Sequence, residues 1–193
     1  ITLFAQKTRV ITVTTQPDAT VWVDDIKQGK TDSTGNLTIK FVASGTRKLR
    51  VRAFGYKEVS QSLLPTQNQV NITLTKTTDP AELAFQEAEK MLTVDRAKAI
   101  ELFQKAAGLR PKYAEAYVAM ARAMSDSGDN EAALEAIANG RKARPIYPEA
   151  SAVEGRIHKA DSEEAKAIAA FKRAIKEGNG FQPEAHTGLG LLY

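Results

Sequence analysis

The 193-residue sequence contains no cysteine, which excludes disulfides, thiol nucleophiles and cysteine-ligated zinc while leaving the redox compartment open. Histidine is scarce as well, with only His158 and His186. No apolar run is long enough to span a bilayer. No G-x-S-x-G, Walker A or His-Glu-x-x-His pattern occurs, so hydrolase and nucleotidase chemistry has no anchor. Gly188-Leu189-Gly190 begins like a phosphate-binding glycine loop, but it lies in a helical stretch rather than after a strand and fails that motif's context. No enzymatic activity, catalytic residue, metal site or cofactor is therefore expected, and no nucleic-acid partner. The chain opens on Ile1 rather than Met, which predicts a processed chain or a piece of a longer one. Ile1–Gln6 fits either the tail of a signal peptide or anchor, with Leu3 and Ala5 tolerable at cleavage positions, or an ordinary first strand or loose end.

What is present is an ordinary globular composition, 42% apolar and 26% charged, with an uneven distribution of charge. Residues 1–76 carry 11 Lys+Arg against 5 Asp+Glu, and the remainder 16 against 18, so a basic part precedes a slightly acidic one. Two domains are expected. In residues 1–76, apolar residues alternate with polar ones in Ile11/Val13, Val21/Val23, Leu37/Ile39/Phe41, Leu49/Val51 and Val70/Ile72/Leu74. That period of two marks antiparallel strands with one buried face. Turn chemistry at Gln16-Pro17-Asp18, Gly29 to Gly35, Ser44-Gly45 and Gly55 separates them, which predicts a small sandwich or open barrel.

The order Pro17-Asp18-Ala19-Thr20-Val21-Trp22-Val23-Asp24, Gly29-Lys30-Thr31, Gly45 and Gly55-Tyr56 resembles the PEGA domain over residues 9–75. Two departures stand out: Asp18 joins Pro17 directly to Ala19, and Asp25 replaces the glycine that usually follows the Asp. The resemblance implies a β-sandwich of bacterial or archaeal extracytoplasmic proteins with a structural or adhesive role. Asp24, Asp25 and Asp32 lack the spacing of an EF-type calcium loop and read as turn acids. Lys48, Arg50 and Arg52 share one strand face. They form either a stripe for an anionic cell-envelope polymer or a charged face that discourages edge aggregation.

Beyond residue 76 the sequence repeats. Ala99, Ala133 and Ala167 lie 34 apart, each followed four residues later by Phe103, Ile137 or Phe171 and seven later by Ala106, Gly140 or Ala174. Small residues at fixed phases let helices approach, and large ones fill the space between them. Ala88, Ala121, Gly155 and Gly190 recur at 33 to 35, and Pro111 and Pro145 close two repeats. Asp79 before Pro80 and Glu82 reads as a helix cap, as does Asp161 before Glu164, while Gly128-Asp129 marks a turn.

This pattern resembles the tetratricopeptide repeat over residues 80–193. The expected fold is α+β in two domains: an antiparallel PEGA-like sandwich (1–76), a short linker (77–79) and a solenoid of helical hairpins (80–193), three repeats plus the first helix of a fourth. The pattern also predicts an array that continues past Tyr193. His158 and His186 fall on packing phases. The resemblance implies that first helices line a concave groove for a protein or peptide, which places Val118, Arg122, Ser125, Arg156 and Lys159 on that face. Arg122 and Arg156 are 34 apart and form a basic ladder suited to a partner's carboxylates, while Glu115, Glu149 and Glu184 sit where helix N-termini favour acids. Val118 and Ala152 occupy slots where the chaperone-tail clamp has Lys or Asn, so chaperone binding is not expected. The function read from these features is a non-enzymatic interaction scaffold, extracytoplasmic in a bacterium and touching a membrane only through a segment outside this chain. The alternative is a sensor region of a larger signalling protein such as a Ser/Thr kinase.

Overall fold

The computed structural model describes residues 8–193; the targeting expectation for Ile1–Gln6 lies outside the described residues. The chain divides after Thr78 into two compact units. In the first, β4 (Asn36–Ala43), β1 (Thr8–Thr14) and β7 (Gln69–Asn71) form one sheet, and β3 (Ile26–Lys30), β2 (Thr20–Val23), β5 (Arg47–Arg52) and β6 (Val59–Leu63) form the other. All pairings are antiparallel except β1 with the short β7. The alternating residues Ile11, Val13, Val21, Val23, Leu49, Val51 and Val70 are buried in one apolar core together with Ile72 and Leu74.

Phe41 departs from the expected alternation. Arg9 pairs with Val42 and Ile11 with Ile39, so Val10 alone opposes Lys40 and Phe41. This bulge, with Phe41 at φ 63, turns its ring outward to 79% exposure and gives the inward place to Val42.

The turn acids have distinct tasks. Asp24 and Asp25, both at positive φ, close the two-residue hairpin between Val23 and Ile26, and Asp24 accepts the Lys48 amide at 2.9 Å. Asp32 accepts the amides of Thr34 and Asn36, and these bonds, led by the Thr34 hydroxyl, hold its carboxyl below the usual range. Buried Thr31 donates to the Gln16 carbonyl at 2.6 Å and accepts the Ala19 amide at 2.9 Å. That ties down the turn in which Asp18 takes the left-handed place. Lys76 bridges to Tyr56 and Thr77 donates to the Gly55 carbonyl, so these two residues continue the sandwich.

The second unit is a run of antiparallel hairpins: α1 (Pro80–Met91) on α2 (Arg96–Leu109), α3 (Ala114–Asp126) on α4 (Asn130–Ala143), and α5 (Pro148–Ala160) on α6 (Glu164–Glu177), then α7 (Pro183–Gly190). Asp79 caps α1 through the Ala81 and Glu82 amides, and Asp129 caps α4 through Ala132. Asp161 is not the N-cap of α6 but the C-cap of α5. Because α5 runs on to Ala160, α6 begins after Glu163, and Asp161 accepts a hydrogen bond from Asn130 instead.

All three 34-residue phases are buried: Ala99, Ala133, Ala167; Phe103, Ile137, Phe171; Ala106, Gly140, Ala174. In the fourth repeat the packing glycine is Gly188 rather than Gly190. The helix α7 packs on α5 and α6, so Ala185 and Gly188 face back toward Phe171 while Gly190 and the His186 ring are exposed.

Candidate partner-binding groove

The first helices α3, α5 and α7 lie side by side, α5 touching both others. Arg122 on α3 donates through Nη1 to Oε1 of Glu184 on α7 at 2.9 Å, and through Nη2 to Oε2. Its Nη2 also lies 3.5 Å from Glu149 on α5. Burial lowers the Arg122 pKa, but the Glu184 hydrogen bond and the charges of Glu184 and Glu149 outweigh it and raise the value above normal. The basic ladder and the acidic ladder thus meet, and Arg122 joins three first helices. The third acid, Glu115, pairs with Arg144.

The second rung differs. Arg156, on α5, has Asp126 at 3.3 Å in a geometry that is not a hydrogen bond, and its Nε and Nη2 are buried without acceptors. Lys159, one turn further, has no carboxylate partner among the described residues. Ser125 donates to Asn130 Oδ1 at 2.9 Å. Val118 does not line an open groove. It is 1% exposed, packed in the apolar core with its methyl against Gly140 on α4.

His158 is half-buried, with Nδ1 2.6 Å from Glu163 and Nε2 4.0 Å from Glu154. Behind it Arg141, Ser151, Glu177 and Arg173 knit α4, α5 and α6: fully buried Ser151 donates to Glu177 at 2.7 Å and accepts from both arginines. Among the described residues no group of three or more His, Cys, Asp or Glu can hold a metal, and no helix is long and apolar enough to cross a membrane.

In the sandwich, the Lys48/Arg50/Arg52 stripe is largely engaged by its own sheet. Arg50 stacks 4.4 Å and Arg52 5.5 Å from the Trp22 ring, Glu58 accepts from Arg52 Nε at 2.8 Å, and Asp25 lies 3.5 Å from Lys48 and 3.6 Å from Arg50. Lys48 retains the most solvent exposure of the three.

Sequence reading overlooked a repeated Arg-Pro-x-Tyr unit, Arg110 to Tyr113 and Arg144 to Tyr147, spaced by 34 residues. Each arginine stacks on its tyrosine at 4.5 Å and pairs with an acid at the start of the preceding first helix, Asp79 or Glu115. The prolines at this spacing were the visible signal. The third repeat has Gly178 at the arginine phase and no such stitch.

A PEGA family model matches residues 8–78, and a tetratricopeptide-repeat model matches residues 95–157. The chain carries a PEGA domain followed by a tetratricopeptide repeat. Among solved structures, MamA is similar at 25% identity over 60% of this chain and 67% of that one, with a TM-score of 0.53. The tetratricopeptide domain of Sgt2 from Aspergillus fumigatus is 24% identical over 60% of this chain and 78% of that one, TM-score 0.56. The first tetratricopeptide domain of Spaghetti (RPAP3), bound to an HSP90 peptide, is 15% identical over 60% of this chain and 92% of that one, TM-score 0.55. The last two likenesses establish the fold alone. No curated protein matches the sequence significantly.

Proposed function

We propose that this chain is a non-enzymatic protein-interaction scaffold whose stacked first helices bind an acidic segment of a protein or peptide. The PEGA domain serves as its spacer or anchor at a bacterial cell envelope, a setting that rests on the PEGA family's extracytoplasmic character. One observation carries the groove reading: Arg156 is paired only loosely, with Asp126 at 3.3 Å outside hydrogen-bond geometry, on the helix face where Lys159 has no carboxylate partner among the described residues. A planar guanidinium beside an ammonium matches a peptide carboxylate. The peptide-bound Spaghetti domain supports a peptide as occupant, while Val118 and Ala152, standing where the chaperone-tail clamp has Lys or Asn, separate this chain from that specificity.

The test is fluorescence anisotropy of labelled hexaglutamate and hexalysine peptides with the full chain at low and moderate salt. Hexaglutamate is expected to bind more tightly, and Arg156→Ala/Lys159→Ala to lose at least about fivefold in affinity, in line with a lost charged contact. Equal binding of hexaglutamate by this double variant and the parent refutes the reading.

A further inference from the structure

The most telling feature of the groove is that one of its cations already holds a carboxylate. Arg122 binds Glu184 through both guanidinium nitrogens across 62 residues, reaching from α3 past α5 to the first turn of α7. Helix N-termini favour acids locally, and that explains the presence of Glu184. It does not explain a two-point bond with an arginine two hairpins away, which is the geometry by which arginine recognises any carboxylate. Glu149 stands by at 3.5 Å as a second acid for the same arginine.

We propose that Glu184 is an internal occupant of the acid-binding groove: an acidic peptide reaches Arg122 only by displacing the Glu184 carboxylate, so α7 acts as a latch on the groove. The inference rests on the reading of the groove as an acidic-peptide site and adds its regulation. A tethered carboxylate competes at an effective concentration in the millimolar range. Weak or singly charged ligands therefore lose to it, and only a segment that also engages Arg156 and Lys159 opens the latch. The selectivity arises because the apparent affinity is the intrinsic affinity multiplied by the fraction of molecules with Arg122 free.

The experiment uses the full chain and labelled hexaglutamate. Since Arg122 can swing to Glu149 when Glu184 is neutralised, Glu149→Gln/Glu184→Gln is compared with the parent and with Arg122→Ala/Glu149→Gln/Glu184→Gln. The double variant is expected to bind about tenfold more tightly than the parent, as for a latch closed roughly nine-tenths of the time. The triple variant is expected to lose that gain. Unchanged or undetectable binding by the double variant overturns the proposal. So does a gain that survives loss of Arg122, because that is a general effect of removing negative charge. Failure of the groove reading itself is separately visible, in parent-like binding by Arg156→Ala/Lys159→Ala.

Discussion

Adding one methyl group at Gly155 should destabilise the solenoid, even though the same change elsewhere in a helix stabilises it. Phe171 is 2% exposed and lies between two glycines of different helices. A Cβ on Gly155 would stand 2.6, 2.7 and 2.9 Å from three Phe171 ring carbons, and one on Gly188 would stand 2.3 Å from Cζ. Carbon pairs settle at about 3.5–4.0 Å, so the overlap is roughly 1 Å on a ring that Gly188 also confines from the other side. Overpacking of this kind costs about 1–3 kcal/mol, against which the better helix propensity of alanine returns about 1 kcal/mol. With three ring carbons overlapped the cost falls in the upper half of that range, about 2–3 kcal/mol, so Gly155→Ala should lose about 1–2 kcal/mol net. Gly108→Ala supplies the control: it lies in α2, exposed, with nothing within 4 Å of its Cβ, and should gain about 0.5–1 kcal/mol. Urea denaturation followed by circular dichroism at about 222 nm reads both. Phe171→Leu should absorb part of the Gly155→Ala penalty, giving a coupling of about 1 kcal/mol. A Gly155→Ala protein as stable as the parent, or strict additivity with Phe171→Leu, refutes the argument.

In the sandwich, Gly35→Ala places Cβ 2.1 Å from the Thr15 carbonyl oxygen at φ 81. Backbone cannot yield as a side chain does, so a loss above about 2 kcal/mol is expected, measured by loss of sheet signal in thermal unfolding. Arg144→Ala removes both the stack on Tyr147 and the pair with Glu115, about 1 kcal/mol together for partly exposed groups. Arg144→Lys should recover less than half of it in the same denaturation assay, because an ammonium cannot lie flat on the Tyr147 ring and donate to Glu115 at once. The Arg110 hydrogen bond, together with the Ala81 and Glu82 amides, lowers the Asp79 pKa below its ordinary 3.8. The stability it supplies is present above that ordinary value and is lost as pH falls through the lowered one. Asp79→Asn should therefore begin less stable near pH 6 and lose less between about pH 5 and pH 2, as read from denaturation midpoints; parallel acid profiles would count against it.

Legibility in the sequence followed the range over which each feature is determined. The buried alanine, bulky and small-residue phases of the solenoid repeat every 34 residues, so a local spacing was enough to place them. The alternating strands were equally readable until one extra residue entered β4. Nothing in Lys40-Phe41-Val42 announces that Phe41 will take a left-handed φ, and the whole inward face shifts by one residue from that point. Gly188 and Gly190 illustrate a third case. Both carry the small residue that helix packing needs, and the choice between them depends on which neighbours α7 has, a property of the array rather than of the helix.

The charge state of the groove was the least readable feature, for a geometric reason. Arg122 and Arg156 occupy equivalent phases, and sequence alone makes them equal rungs of one ladder. Their partners are decided by how far each long side chain reaches across the stacked first helices. Arg122 points toward the N-terminal ends of α5 and α7, where two glutamates wait, whereas Arg156 has Asp126 as its one carboxylate among the described residues, in a poor alignment. Arg122 has two later first helices within reach, α5 and α7, each with a glutamate in its first turn, whereas α7 is the one first helix described after Arg156. Under the proposed latch, an arginine that already holds a carboxylate resists casual ligands and a loosely paired one offers a first foothold, so binding that starts at Arg156 and Lys159 proceeds to Arg122 only when the incoming segment carries enough acid to replace Glu184.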